Sequence, residues 1–236
     1  NEQMLEPFDI AIWQKITPAD QSLIKQTLKL AEEPFSPTIN RNIVLIEDAN
    51  GHHIITRGAP EEIIAHSQGL TPKEQQKIID WTIKEGRKGR RTLAVASQSL
   101  SEFIIQDTKN LSQVNNFNFL GVISFVDPIK PSTKAAIKKA KSLGVKIKII
   151  TGDSLEVAIA VAKEIGLIER STQAITGATW QQLLPAQKLK ALNNKVVFAR
   201  VNPEQKYDIV NTLRRNYAVG FLGEGINDAP ALKIAG

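Results

Sequence analysis

From Phe117 onward the sequence repeats one pattern: a short β-forming run, a turn, then a helix closed by glycine. Phe119 to Val126 reads as a strand ending at Asp127-Pro128, and Ser132 to Leu143 as a helix stopped by Gly144, a residue suited to the left-handed C′ position. Val145 to Thr151 predicts a strand running into Gly152-Asp153, then a helix from Ser154 to Ile165 closed by Gly166. Lys195 to Ala199, Glu204 to Arg215 and Tyr217 to Leu222 continue as strand, helix and strand. Such alternation implies a parallel sheet covered by helices. It gathers the loops at Asp127, Thr151 to Asp153, Arg200 to Lys206 and Gly223 to Asp228 at one sheet edge, where α/β folds carry their chemistry.

The first half is organised differently. Asp20 to Glu33 carries Leu23, Ile24, Leu28 and Ala31 at helical spacing, with Asp20 as N-cap and Pro34 as terminator. Asn42 to Glu47 and His52 to Arg57 are β-rich runs joined through Asn50-Gly51, a hairpin signal because Asn-Gly accepts positive φ. Glu61 to His66 predicts a short helix behind Pro60. Thr71 to Lys84 predicts a longer one, with Thr71 as cap and Glu74 at the third position. Thr92 to Ser97 is a third strand, and the polar residues 99 to 116 read as a connection between two domains.

Composition narrows the classes. Two domains suit 236 residues, and 42% hydrophobic with 23% charged residues is ordinary for globular protein. A formal charge of +6 with only 6% aromatics and no basic-aromatic stripe argues against a dedicated nucleic-acid binder. No cysteine is present, which excludes disulfides and thiolate metal sites. No run approaches the ~18 apolar residues that span a bilayer. The chain opens at Asn1 without an initiator methionine and stops at Gly236 as a helix starts, so a piece of something larger is expected.

The loop residues suggest chemistry, and each also has a plain structural account. Glu224 and Asp228 are hard oxygen donors among glycines and suit Mg²⁺; they equally suit a glycine-rich turn before a helix. Thr151-Gly152-Asp153 is either a tight capped turn or a phosphate cradle. Arg57-Gly58 stands where a strand meets a helix, as a surface arginine in a turn or a phosphate ligand. Lys84, Arg87, Lys88, Arg90 and Arg91 read first as a solvated helix end, and His52, His53 and His66 as surface residues. Jointly, a hydroxyl, a glycine amide, Lys206 and two carboxylates are what phosphoryl transfer requires.

Taken together these residues resemble the cytoplasmic part of a P-type cation-transporting ATPase, the magnesium- and calcium-type pumps most. Gly223-Glu224-Gly225-Ile226-Asn227-Asp228-Ala229-Pro230 resembles that family's hinge signature. Asp127-Pro128, Thr151-Gly152-Asp153, Pro203-Glu204-Gln205-Lys206 and Arg57-Gly58-Ala59-Pro60-Glu61 resemble four more, in the family's order across nearly the entire chain. The resemblance implies two domains. Residues 1–115 would be an α+β nucleotide-binding domain with an antiparallel sheet. Residues 116–236 would be a haloacid-dehalogenase-like α/β parallel-sheet domain without its first strand.

It implies roles as well. Phe35 stacks on adenine and Asp9 bonds its edge; Arg57 and Gly58 line the nucleotide pocket, and Arg91 reaches the phosphates. Thr151 and Gly152 hold the transferred phosphoryl group, Asp153 meets the ribose side with Arg200 nearby, and Lys206 neutralises phosphoryl charge. Asn227 bonds phosphoryl oxygens, while Glu224 and Asp228 handle Mg²⁺. The implied ligands are ATP and Mg²⁺. The implied partners are membrane and actuator domains of the same polypeptide and a transported cation that this chain does not itself bind, with the whole at the cytoplasmic face of a membrane.

Departures accompany the likeness. The family's acceptor aspartate, in an Asp-Lys-Thr-Gly-Thr stretch, is absent, so binding of ATP without turnover is expected. Arg57 replaces a lysine. The basic residues around Phe35 are thinned to Pro37, Thr38, Ile39 and Asn40, leaving Arg41. Glu224 replaces an aspartate, which moves the carboxylate by roughly 1.5 Å. Two other readings stay open: a phosphatase using Asp127, and a catalytically silent nucleotide-binding module. The pump reading requires Thr151, Lys206 and Asp228 to crowd around one phosphate-sized spot.

Overall fold

The computed structural model describes residues 7–36, 39–100, 111–223 and 228–235. The chain divides into two compact units, residues 1–82 with 92–125 and residues 83–91 with 126–236.

The first unit opens with helices α1 (Pro7–Trp13) and α2 (Pro18–Gln26). Thr17, not Asp20, caps α2; Asp20 is its third residue and returns a bond to the Thr17 amide, closing a capping box. The expected helix to Glu33 is overturned, because β1 spans Leu28–Ser36 and pairs antiparallel with β2 (Arg41–Asp48). Edge pairing overrides the helical spacing, and Pro34 is tolerated because the register shifts between Glu33 and Ser36. β2 and β3 (Gly51–Gly58) form the expected hairpin, with Gly51 rather than Asn50 taking the positive φ.

Helix α3 (Pro60–Ala65) and strand β4 (Ser67–Gln68) lead to α4 (Pro72–Arg87), whose start carries the expected capping box of Thr71 and Glu74. Strands β5 (Arg91–Leu100) and β6 (Phe117–Phe125) complete a mixed sheet. Among the described residues its order is β1-β2-β3-β5-β6-β4, with β4 parallel to β6. β6 is thus a correction: the strand expected to open the parallel-sheet domain belongs to the first unit. Its Phe117 is fully buried against Ile43, Ile54 and Ile63 in that unit's core.

The second unit is a parallel sheet with helices, in the order β7-β9-β8. Its elements are α5 (Thr133–Ser142), β7 (Ile149–Ile150), α6 (Leu155–Glu164), β8 (Ala174–Thr176), α7 (Gly177–Gln181), α8 (Pro185–Asn194), β9 (Val197–Ala199), α9 (Pro203–Arg214) and α10 (Ala229–Ile234). Val197, Phe198 and Ala199 of the central strand are fully buried, as a strand covered on both faces must be. Ser154 caps α6, and Gly144 and Gly166 take positive φ after α5 and α6. The strand expected at Tyr217 to Leu222 is not formed. Among the described residues nothing pairs with it, and a β-forming run without a ladder partner stays irregular, leaving Leu222 fully exposed.

Candidate active site

In the second unit two side-chain groups form at the ends of these strands. The first surrounds Thr151. Its amide donates to the Phe198 carbonyl at 2.9 Å, continuing the β7–β9 ladder by one residue. The Asp153 amide donates to Thr151 Oγ1 at 3.1 Å, which leaves the hydroxyl hydrogen to donate elsewhere. Arg91 bridges two loops, with Nη2 at 3.0 Å from Asp153 Oδ2 and Nη1 at 3.5 Å from Asp127 Oδ2. These residues line a cleft of about 250 Å³ whose apolar wall includes Ile149, Val157 and Val161.

The second group is Lys206, on α9, and Asp228, just before α10; their side chains meet at 2.6 Å. Gly223 lies so close that a Cβ there would stand 2.7 Å from Asp228 Oδ2. The turn from Arg200 to Asn202 joins the two groups. Arg200 donates its amide to the Asp153 carbonyl at 2.9 Å, Val201 to Thr151 at 3.0 Å, and Lys206 to Asn202 at 2.9 Å. Arg200 has a φ of +50°, and Gly177 makes room for the turn, since a Cβ at Gly177 would lie 2.6 Å from the Arg200 carbonyl.

Gly152 is uncrowded, its nearest obstacle being 3.9 Å away at the Val201 carbonyl. Glu224 and Asn227 lie outside the described residues. Asp228 offers hard carboxylate oxygens of the kind Mg²⁺ takes, so the donor chemistry fits that ion. Among the described residues, though, no three such acidic or imidazole groups gather.

The nucleotide residues of the first unit are arranged otherwise. Arg57 and Asp9 form a two-point ion pair with each other, Nη1 on Oδ1 and Nη2 on Oδ2. Phe35 is 53% exposed on the edge strand β1. Gly58 has a structural duty, because a Cβ there would collide with the Asn40 carbonyl and stand 2.7 Å from Arg41 Cα. Arg41, expected beside Phe35 as its remaining cation, is turned into the core instead. It is 2% exposed, donates to the Ser112 carbonyl at 2.8 Å and lies 5.9 Å from the centre of the Phe117 ring. Burial pushes its guanidinium pKa below the ordinary value, against the opposing pull of Glu62 and Glu33.

The basic run also separates. Lys88 and Arg90 bind Glu85, and only Arg91 turns to the cleft. In the sequence the one signal for Glu85 is that it is an acid in the last turn of a helix, where the dipole disfavours it. The histidines are partly buried and lie beside acids, His52 near Glu47, His53 near Asp48 and His66 near Glu62.

A strand-end hydroxyl, a lysine–aspartate pair and a parallel sheet coincide with a sequence match. The haloacid dehalogenase-like hydrolase family model covers residues 44–236. The chain belongs to that family. Over 96% of its length this haloacid dehalogenase-like chain is 31% identical to a Mycoplasma genitalium protein named "Probable cation-transporting P-type ATPase". Over 91% of its length it is 32% identical to the "Magnesium-transporting ATPase, P-type 1" of Escherichia coli, and 29% identical to the "Calcium-transporting ATPase" of Bacillus subtilis. The chain spans about a quarter of the length of the curated relatives it matches, 25% in each case. Among the described residues no helix is long and apolar enough to cross a membrane.

Proposed function

We propose that the chain is the ATP-binding and phosphorylation region of an ATP-driven cation pump that works through an aspartyl-phosphate, a route that splits one difficult transfer into two easier ones. The observation that carries this is the cleft beside Thr151, where Arg91 spans Asp127 and Asp153 at the ends of two loops. Likeness to cation-transporting P-type ATPases over more than nine-tenths of the chain supports it.

On this reading the first unit, which includes β6, forms the nucleotide domain and the second unit the phosphorylation domain. Phe35 stacks on adenine, Asp9, Arg57 and Gly58 line the nucleotide pocket, Asp153 and Arg200 face the ribose, and Arg91 meets the phosphates. Thr151, the Gly152 amide and Asn227 donate to phosphoryl oxygens while Lys206 balances their charge. Asp228 and Glu224 hold Mg²⁺, which when bound draws charge from the phosphate oxygens. The Lys206–Asp228 pair, at 2.6 Å, holds the two side chains in place beside each other. The membrane and actuator domains, and the transported cation, belong to the rest of the pump.

Calorimetric titration with ATP and Mg²⁺, run beside a phosphate-release assay, tests this. Saturable binding with no sustained release is expected, because the Asp-Lys-Thr-Gly-Thr acceptor is not in this sequence. Steady Mg²⁺-dependent hydrolysis by the chain alone would contradict it.

A further inference from the structure

Glu85 occupies a place that ordinarily rejects a carboxylate. It stands in the last turn of α4, where the helix dipole repels negative charge, and it is 5% exposed. Two cations hold it there, Lys88 Nζ at 2.6 Å from Oε1 and Arg90 Nη1 at 2.8 Å from Oε2. The backbone closes around the same point. Lys88 and Arg90 donate their amides to the Glu85 carbonyl at 2.9 and 3.1 Å, and Gly89 donates to Gly86 at 2.9 Å with a φ of +76°.

The turn is also seated on α6. A Cβ at Gly86 would stand 3.0 Å from Glu156 Cβ, so the turn has little room to shift toward α6. The residue that leaves this turn is Arg91, whose guanidinium joins Asp127 and Asp153. Four cations therefore follow Glu85 within six positions, Arg87, Lys88, Arg90 and Arg91, and Lys88 and Arg90 are bound to it.

We propose that Glu85 is a positioning residue for the cleft. Its carboxylate fixes the turn that aims Arg91 and withholds Lys88 and Arg90, so that one oriented guanidinium, not a run of mobile cations, meets the ligand's phosphate. The inference rests on the nucleotide-binding reading given above. Without the Glu85 charge, Arg90 is released to compete for Asp127 and Asp153, and Arg91 loses its fixed approach. The effect falls on the phosphate end of a nucleotide and not on its nucleoside.

The test compares ATP and adenosine affinities for the wild-type chain, Glu85→Gln, Arg91→Ala and the double variant. Glu85→Gln is expected to weaken ATP by about tenfold, the scale of a lost charge-assisted bond, and to leave adenosine unchanged. It should add nothing in the Arg91→Ala background, because it acts through Arg91. Arg90→Lys, which keeps a cation on Glu85, should retain most ATP affinity. Equal losses for both ligands, or additive losses in the double variant, would overturn the proposal.

A ligand-free readout separates this from the function itself. The Arg91 Nε–Hε NMR signal should report a restrained side chain in wild type and an averaging one in Glu85→Gln; no difference would refute the positioning role. Failure of the wild type to bind ATP would sink the nucleotide-binding reading, and the NMR comparison would still decide the role of Glu85. Should Glu85→Gln not fold, Arg90→Met at a 42% exposed side chain removes one of the same bonds.

Discussion

Lys206 and Asp228 stand 22 positions apart and meet at 2.6 Å, with side chains only 13% and 15% exposed. The lysine is set by α9, whose Asn202 cap accepts from Gln205, and the aspartate by the start of α10. Partial burial strengthens the attraction and makes the loss of either partner costly.

Gly223→Ala tests how tightly that arrangement is built. The new methyl would stand 2.7–2.9 Å from three Asp228 side-chain atoms, so Asp228 must move. A loss of about 1–3 kcal/mol is expected in equilibrium urea unfolding. Gly220→Ala, with nothing within 4 Å, should fall within about 0.5 kcal/mol of wild type.

Lys206→Met should destabilise the second unit by about 2–4 kcal/mol by leaving Asp228 short of its cation. Adding Asp228→Asn should recover part of that loss. Additive losses in a double-mutant cycle would show that the pair is not coupled.

Trp180 is fully buried, packs edge-on against Phe198 at 5.6 Å and donates its indole N–H to Asp208 at 2.8 Å. Trp180→Ala is expected to cost about 3–5 kcal/mol. Trp180→Phe should cost less, because Asp208 keeps Lys188 at 2.7 Å. Chemical denaturation followed by circular dichroism measures both.

The start of α4 should respond to acid. The Thr71 hydroxyl and then its amide hold the Glu74 carboxyl below its usual pKa, with Lys77 adding to that and slight desolvation opposing it. A depressed acid contributes stability above its unfolded pKa and loses it as pH falls through the folded value. Protection of the Thr71 amide against hydrogen exchange should therefore be lost only at a pH below the ordinary glutamate range, and Glu74→Gln should abolish that pH dependence.

Local chemistry was the legible part of this sequence. The Thr71 capping box, the Asn50-Gly51 hairpin, the Ser154 cap and the glycine stops at Gly144 and Gly166 are set by neighbours in the chain, and all appear in the structure. What depends on distant partners was not legible. Leu28 to Ser36 has helical spacing but lies along β2, and Tyr217 to Leu222 has strand composition but no neighbour to pair with. Strand β8 and helices α7 and α8 carry no clear periodicity and are organised by the buried Trp180. At the site, the strand-end residues Thr151, Asp153 and Asp127 could be read from the loops. The Asp9–Arg57 pair and the Glu85 turn could not, because each depends on a contact that spacing does not encode.

The most direct check is a titration of the chain with Mg²⁺ and ATP while the backbone amide signals of Gly152 and Asp153 are followed by NMR. Saturable shifts at these two amides, lost in Arg91→Ala, are expected if a nucleotide phosphate enters the Thr151 cleft. Signals that stay fixed at millimolar ATP would contradict a phosphate site there, and with it the assignment of this chain to the ATP-handling part of a pump.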